Sequence, residues 1–282
     1  MSVIKRFVKK AYPHNSAKSI SRDKSDFVTL PSSEVRELSA NPDTAKEIAK
    51  MAQPSQYDFS YLAQQKIIYP SMPNKRIFNT FRDLRTNIFK SIKARNCILM
   101  ITPLSPGGGG SFIALNIASS IAFDDTKTAL LVDCNIANPS LNRLVLTDNA
   151  SAGLVDYLRN SQLTPSDIIK PTGIPRLRVI TAGHNKDVDT EYFSDVRLAE
   201  LFSELKSRYR DRTIIIDAPC ISNHADTMIL SELCDYILPV LPYAKTTQQL
   251  IAKSLMKFDK TKIIGMALNN TPPSPYFWKA VD

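Results

Sequence analysis

Residues 97 to 123 read CILMITPLSPGGGGSFIALNIASSIAF, an apolar strand-like run that closes on a glycine-rich turn and reopens as an apolar, helix-like segment. That layout suits a phosphate. In a phosphate-binding loop, backbone N–H groups and the positive end of the following helix face the anion, a lysine reaches the β/γ oxygens, and a Ser or Thr hydroxyl holds Mg²⁺. Gly107, Gly108, Gly109, Gly110, Ser111 and Phe112 are therefore the candidate nucleotide-binding residues, with ATP or ADP and Mg²⁺ as the implied cofactors. Ser111 stands where the hydroxyl belongs, but Gly110 stands where the lysine belongs. The loop offers amides and a helix end, worth about 0.3–1 kcal/mol to an anion at an exposed site, without the charge.

Two more apolar runs end in aspartate. TALLVDCNIANPSL places Asp133, and TIIIDAP places Asp217, at the end of a strand-like segment. A carboxylate at that position beside a phosphate loop can hold Mg²⁺ or its waters, or accept a proton from an incoming hydroxyl. Asp133 and Asp217 are the candidate catalytic carboxylates, and Ser111, Asp133 and Asp217 the candidate Mg²⁺ set. Asp226, nine residues beyond Asp217, is a further acidic candidate, with a helix-capping role as its alternative.

Positioning these groups requires strands and helices in alternation, and the pattern supplies them. Strands are expected at Ile98–Thr102, Ala129–Asp133, Leu177–Thr181, Thr213–Asp217, Tyr236–Leu241 and Ile263–Leu268. Helical periodicity lies at Ile77–Ile92, Phe112–Phe123, Gly153–Arg159, Ser194–Tyr209, His224–Cys234 and Thr247–Phe258. Near-continuous apolar strands between amphipathic helices argue for a parallel sheet covered on both faces. Ligands of such sheets bind beyond the carboxyl ends of the strands, where the aspartates fall.

The chain has 282 residues and is 43% apolar, enough for one sizeable core with an extension. Its net charge of +9 comes from the N-terminal third: residues 1 to 95 hold 18 Lys/Arg against 8 Asp/Glu, and the remainder 18 against 19. In residues 1–12, Val3, Ile4, Phe7, Val8 and Tyr12 share one helical face and Lys5, Arg6, Lys9 and Lys10 the other. Such a basic amphipathic segment suits anionic lipid or a partner helix, and equally a terminus packed on its own domain. From Pro13 to about Pro73 polar residues dominate, as in a linker, with a transient helix possible at Ser33–Met51. The expected division is a basic helix and linker over 1–73 and an α/β domain over 74–282.

Cys97, Cys134, Cys220 and Cys234 lie in or beside apolar runs without CxxC spacing, which reads as reduced, buried thiols. No apolar run reaches about 18 residues and no secretory leader is evident. The expectation is a cytoplasmic protein. Nucleic acid is not an expected partner, because the N-terminal basic residues lack interleaved aromatic platforms.

From Phe81 to Phe277 the chain resembles the bacterial tyrosine kinases (BY-kinases) of polysaccharide export, especially the cytoplasmic kinases of exosortase-associated exopolysaccharide systems. The matching stretches are FRDLRTN, CILMITPLSPGGGGSFIALNIASSIA, LLVDCNIANPSLNRL, GLVDYL, LRVITAG, RYRDRTIIIDAP and ILPVLPYAKTTQQ. The resemblance implies an α/β, P-loop NTPase-like fold with a mostly parallel sheet and helices on both faces. The family's Walker A loop falls on residues 103 to 111, where Gly109 and Ser111 match and Gly110 departs. In its second acidic motif Asp133 matches, Asn135 replaces the second aspartate, and Ala137 and Asn138 stand where arginine is expected. Asp217 matches the Walker B aspartate. Of the family's assembly segment Glu-x-x-Arg-x-x-Arg, Arg82 and Arg85 match and Asn79 replaces the glutamate. The C-terminal tyrosine cluster is reduced to Tyr276.

These departures converge on one reaction. They imply a BY-kinase-like protein that keeps the fold, binds nucleotide weakly or not at all and is impaired in phosphoryl transfer, regulating a membrane polysaccharide co-polymerase (chain-length determinant) from the inner face of the membrane, with a homo-oligomer contact through Arg82 and Arg85. Two alternatives accompany that reading: an active, atypical tyrosine kinase that takes its positive charge from elsewhere, and a MinD/ParA-like membrane-surface ATPase anchored by residues 1–12.

Overall fold

The structure is a computed structural model and describes residues 59–93, 96–144, 152–184, 190–194, 196–208, 212–221 and 225–271. The basic segment, the proposed transient helix at Ser33–Met51 and the aromatic tail Tyr276, Phe277 and Trp278 lie outside the described residues. Over the described residues the elements run α1 (Phe59–Gln64), α2 (Lys75–Ser91), β1 (Cys97–Pro103), α3 (Gly110–Ala122), β2 (Thr128–Asp133), a 3-10 turn (Leu141–Leu144), α4 (Leu154–Arg159) and α5 (Pro165–Ile168). There follow β3 (Lys170–Pro171), β4 (Leu177–Ile180), a second 3-10 turn (Thr190–Ser194), α6 (Val196–Arg208), β5 (Arg212–Asp217), α7 (Ala225–Leu233), β6 (Tyr236–Pro242), α8 (Gln248–Leu255) and β7 (Ala267–Asn269).

One sheet of order β3-β4-β2-β5-β1-β6-β7 organises these elements. Every neighbouring pair is parallel except β3 with β4. Its three central strands explain their own sequences. β2 and β5 are buried at every residue and β1 at all but Pro103, so both faces must be apolar. Successive side chains alternate between faces. Met100, Val132 and Ile216 join Phe202 and Leu205 of α6 in one core, while Leu99, Ile101, Leu131 and Ile215 join Leu115, Ile117 and Ile121 of α3 in the other. Each such side chain contributes about 1.5–3 kcal/mol through burial. Because the strands are parallel and in register, Asp133 lies beside Asp217 on β2 and β5, and Asp217 lies beside Ile101 on β1.

The described residues correct several sequence expectations. The division at residue 73 is set too late, since Leu62, Ile67, Ile68 and Tyr69 are buried in the α3-side core. Asn116 of α3 holds this segment by accepting from Ile68 N (2.8 Å) and donating to Lys66 O (3.2 Å). A polar-looking stretch was thus anchored by a partner far away in sequence. β7 starts at Ala267 rather than Ile263, which makes only an isolated bridge to Ile237, and the edge strand β3 had no expectation at all. All four cysteines are buried and none forms a disulfide among the described residues, and burial pushes the Cys97 thiol up to about 12. Among the described residues no helix is long and apolar enough to cross a membrane.

Candidate functional site

The glycine loop joins β1 to α3. Gly109 caps the helix in the left-handed conformation (φ 85°, ψ 26°) with no side-chain cap, leaving the first-turn amides of Gly110, Ser111 and Phe112 without intrahelical acceptors. Asn269, at the end of β7, donates its amide to Gly108 O (3.1 Å). A Cβ on Gly109 would come within 2.0 Å of that same amide nitrogen, so the loop is pinned against β7 only because residue 109 is glycine. Gly107 is exposed, Gly108 and Gly110 are buried, and Ser111 and Phe112 are partly exposed. The Phe112 ring turns away from the loop to pack edge-on against Phe81 of α2 (5.8 Å between centroids). Its contribution to the loop is its backbone.

The two aspartates sit side by side in different conditions. Asp133, fully buried, accepts from Asn135 N (3.1 Å), Ser140 N (3.0 Å) and Leu141 N (3.0 Å). Its carboxylate thereby shapes the 134–141 segment and caps the first 3-10 turn. Burial pushes its pKa up to about 6 against the pull of those three donors. Asp217, equally buried, has no hydrogen-bond donor on either oxygen among the described residues. Burial first, and the neighbouring Asp133 charge second, hold it well above the usual carboxylate range. The Ser111 hydroxyl and the Arg143 guanidinium act in the opposite direction, although Ser111 does not reach hydrogen-bond geometry. A buried carboxylate with no donor is costly, and at this place a cation or a proton must relieve it.

The backbone ties the acidic edge to the loop. Ala218 N donates to Ile101 O (3.0 Å) and Ile221 N to Pro103 O (3.0 Å), and the Thr102 hydroxyl donates to Pro219 O (2.7 Å). Ser111, Asp133 and Asp217 are thus brought to one end of the sheet. Asp226 lies in the first turn of α7 and is buried. Among the described residues no group of three or more His, Cys, Asp or Glu could hold a metal unaided.

Arg143 was missed by sequence reasoning. It is exposed on the 3-10 turn that Asp133 caps, and its carbonyl accepts from the Tyr61 hydroxyl of α1 (2.7 Å). The one signal for it was its position ten residues after Asp133 in the same loop, and only the fold turns that loop back toward Asp217.

No family model matches this chain. The putative tyrosine-protein kinase CapB of Staphylococcus aureus is 31% identical over 204 residues, covering 71% of this chain and 87% of that protein. The chain belongs to the bacterial tyrosine kinase family. The tyrosine-protein kinase wzc of Salmonella typhimurium is 30% identical over 210 residues, which are 73% of this chain but only 28% of that protein. The BceF tyrosine kinase domain has the same fold, with a TM-score of 0.63, 24% identity, and coverage of 83% of this chain and 99% of that one.

Arg82 and Arg85, the two arginines expected at a subunit contact, differ in their surroundings. Arg82 is exposed on α2 and stacks over Phe78 (5.8 Å). Arg85 is committed to its own domain, donating to Ser120 O (2.6 Å) and pairing with Asp124 (3.8 Å).

Proposed function

We propose that this chain is a bacterial tyrosine kinase homologue that keeps the nucleotide site, transfers phosphate poorly, and regulates a membrane polysaccharide co-polymerase from the inner face of the membrane. The observation that carries this reading is Gly110 in the lysine place of an otherwise intact loop. The amides of Gly110, Ser111 and Phe112 bind and orient the phosphates of ATP or ADP at the start of α3. Asp217, with both oxygens unengaged, would hold Mg²⁺ together with the Ser111 hydroxyl. Asp133 spends its lone pairs on three backbone donors and acts by shaping the loop and by its charge. Mg²⁺, when bound there, would supply positive charge against that of the phosphates.

The missing lysine weakens the step in which charge moves to the leaving phosphate. Removing one preorganised donor of this kind costs about 2.7–4 kcal/mol, or roughly 10² to 10³ in rate. Asn135 in place of a second carboxylate lowers the site further. The test is incubation of purified protein with Mg²⁺ and ATP, read by phosphotyrosine and by phosphate release. Little of either is expected; robust Mg²⁺-dependent phosphotyrosine that disappears in Asp217→Asn would sink the reading.

A second reading has one observation in its favour. The Arg143 charge acts on Asp217 and is a candidate for the missing cation, which would make the protein an active, atypical kinase. Loss of phosphotyrosine in Arg143→Ala, from a wild type that forms it, would select this alternative.

A further inference from the structure

The absent lysine has a structural counterpart. A Cβ built on Gly110 would lie 2.6 Å from Pro103 Cδ and 3.1 Å from Pro103 Cγ. Those atoms belong to a ring closed on the backbone, so they cannot rotate aside as the tip of a long side chain can. Pro103 itself is held at the last position of β1, where it pairs with Val240 of β6, accepts from Ile221 N (3.0 Å), and is followed by Leu104 N donating to Val240 O (2.9 Å). The same ring approaches residue 108, where an added Cβ would meet Pro103 Cβ at 3.0 Å and Ser105 O at 2.9 Å. The space that the first carbons of a lysine would need is filled from the strand side.

We propose that Pro103 is a positioning residue that keeps position 110 free of any side chain, so that Pro103 and Gly110 form one unit and a lysine at 110 can serve the nucleotide only when Pro103 is also replaced. This deepens the reading of the site as a nucleotide site with impaired transfer and rests on it. With the ring removed, the nearest remaining atom of residue 103 would be its backbone nitrogen, 3.3 Å from the added Cβ. That contact is tight but tolerable after a small shift. The serine of Pro103→Ser also restores a backbone N–H, which proline lacks.

The experiment uses the full chain and six proteins: wild type, Gly110→Ala, Gly110→Lys, Pro103→Ser, Pro103→Ser with Gly110→Ala, and Pro103→Ser with Gly110→Lys. Urea midpoints and the affinity for a fluorescent ATP analogue with Mg²⁺ are measured on each. Both single changes at 110 are expected to lower the midpoint, and Pro103→Ser to recover most of that loss in each pair. Only Pro103→Ser with Gly110→Lys gains affinity, by about tenfold or more over Pro103→Ser alone, as a charge-assisted contact to phosphate gives. The alanine pair controls for space without charge, and it shows no such gain in affinity.

Three results overturn the proposal: Gly110→Lys alone that keeps the wild-type midpoint and binds as tightly as the double variant, Gly110→Ala that Pro103→Ser fails to rescue, or a stable Pro103→Ser, Gly110→Lys protein with no gain in affinity. Phosphotyrosine formation by the wild type would overturn the proposed function instead. It leaves the coupling of residues 103 and 110 to be decided by midpoints and affinities.

Discussion

The acidic edge and the glycine loop lie at the same end of the sheet, and only the acidic edge keeps its charge. On the edge, two fully buried aspartates sit on neighbouring strands, one satisfied by three amides and the other by none. On the loop, backbone and hydroxyl donors remain while the lysine has given way to Gly110, packed under Pro103. The comparison teaches that binding architecture and reactive charge are separable. A strand-end aspartate needs only its strand, whereas a loop lysine needs room beside it.

The sharpest way to break the loop side is Gly109→Ala. A left-handed backbone and a 2.0 Å approach to the Asn269 amide should together cost about 2–4 kcal/mol, read as a fall in the urea midpoint. The edge responds in the other direction. Asp217→Asn removes a buried carboxyl that lacks a donor and lies beside Asp133, so the nucleotide-free protein should gain about 1–3 kcal/mol at neutral pH. The same variant should lose the Mg²⁺ dependence of nucleotide binding, and a destabilised variant would show that Asp217 has a protein partner after all.

Both carboxyls hold protons more tightly in the folded than in the unfolded state, Asp133 with a pKa of about 6 against an ordinary 3.8. Between those values the folded state binds more protons, so this contribution is fully present below about pH 4 and is lost as pH rises through 6. Nucleotide-free protein should lose roughly 1–2 kcal/mol from this source across that window, followed by chemical unfolding at closely spaced pH values. In Asp217→Asn the fall should flatten, because one of the two raised carboxyls is gone.

Arg143→Ala should have the smallest effect, about 0.5 kcal/mol or less, since the side chain is exposed and screened. It is expected as a slight shift of the pH dependence toward higher pH that fades with added salt. A large loss of nucleotide affinity in this variant would instead move Arg143 into the binding site and favour the atypical-kinase reading.

The sheet was largely legible because its central strands are buried on both faces and so carry unbroken apolar runs, as in TIIIDAP. Asp133 and Asp217 could be picked out because each interrupts such a run where the strand stops. α1 was hidden for the opposite reason: only Leu62 of its six residues is buried, and its neighbours Ile67 and Ile68 owe their place to Asn116 of α3, 48 residues or more away. β3 spans two residues, Lys170 and Pro171, too few for any periodicity. The partnership of Pro103 with Gly110 could not be read at all, since two residues seven apart in sequence meet only when the loop folds back on its own strand.

The most direct test of the account is phosphotyrosine formation from γ-labelled ATP and Mg²⁺ by the purified full chain, measured beside binding of the same nucleotide. The account predicts Mg²⁺-dependent binding, lost in Asp217→Asn, with phosphotyrosine at background. Phosphotyrosine that accumulates in the wild type and vanishes in Asp217→Asn would contradict it.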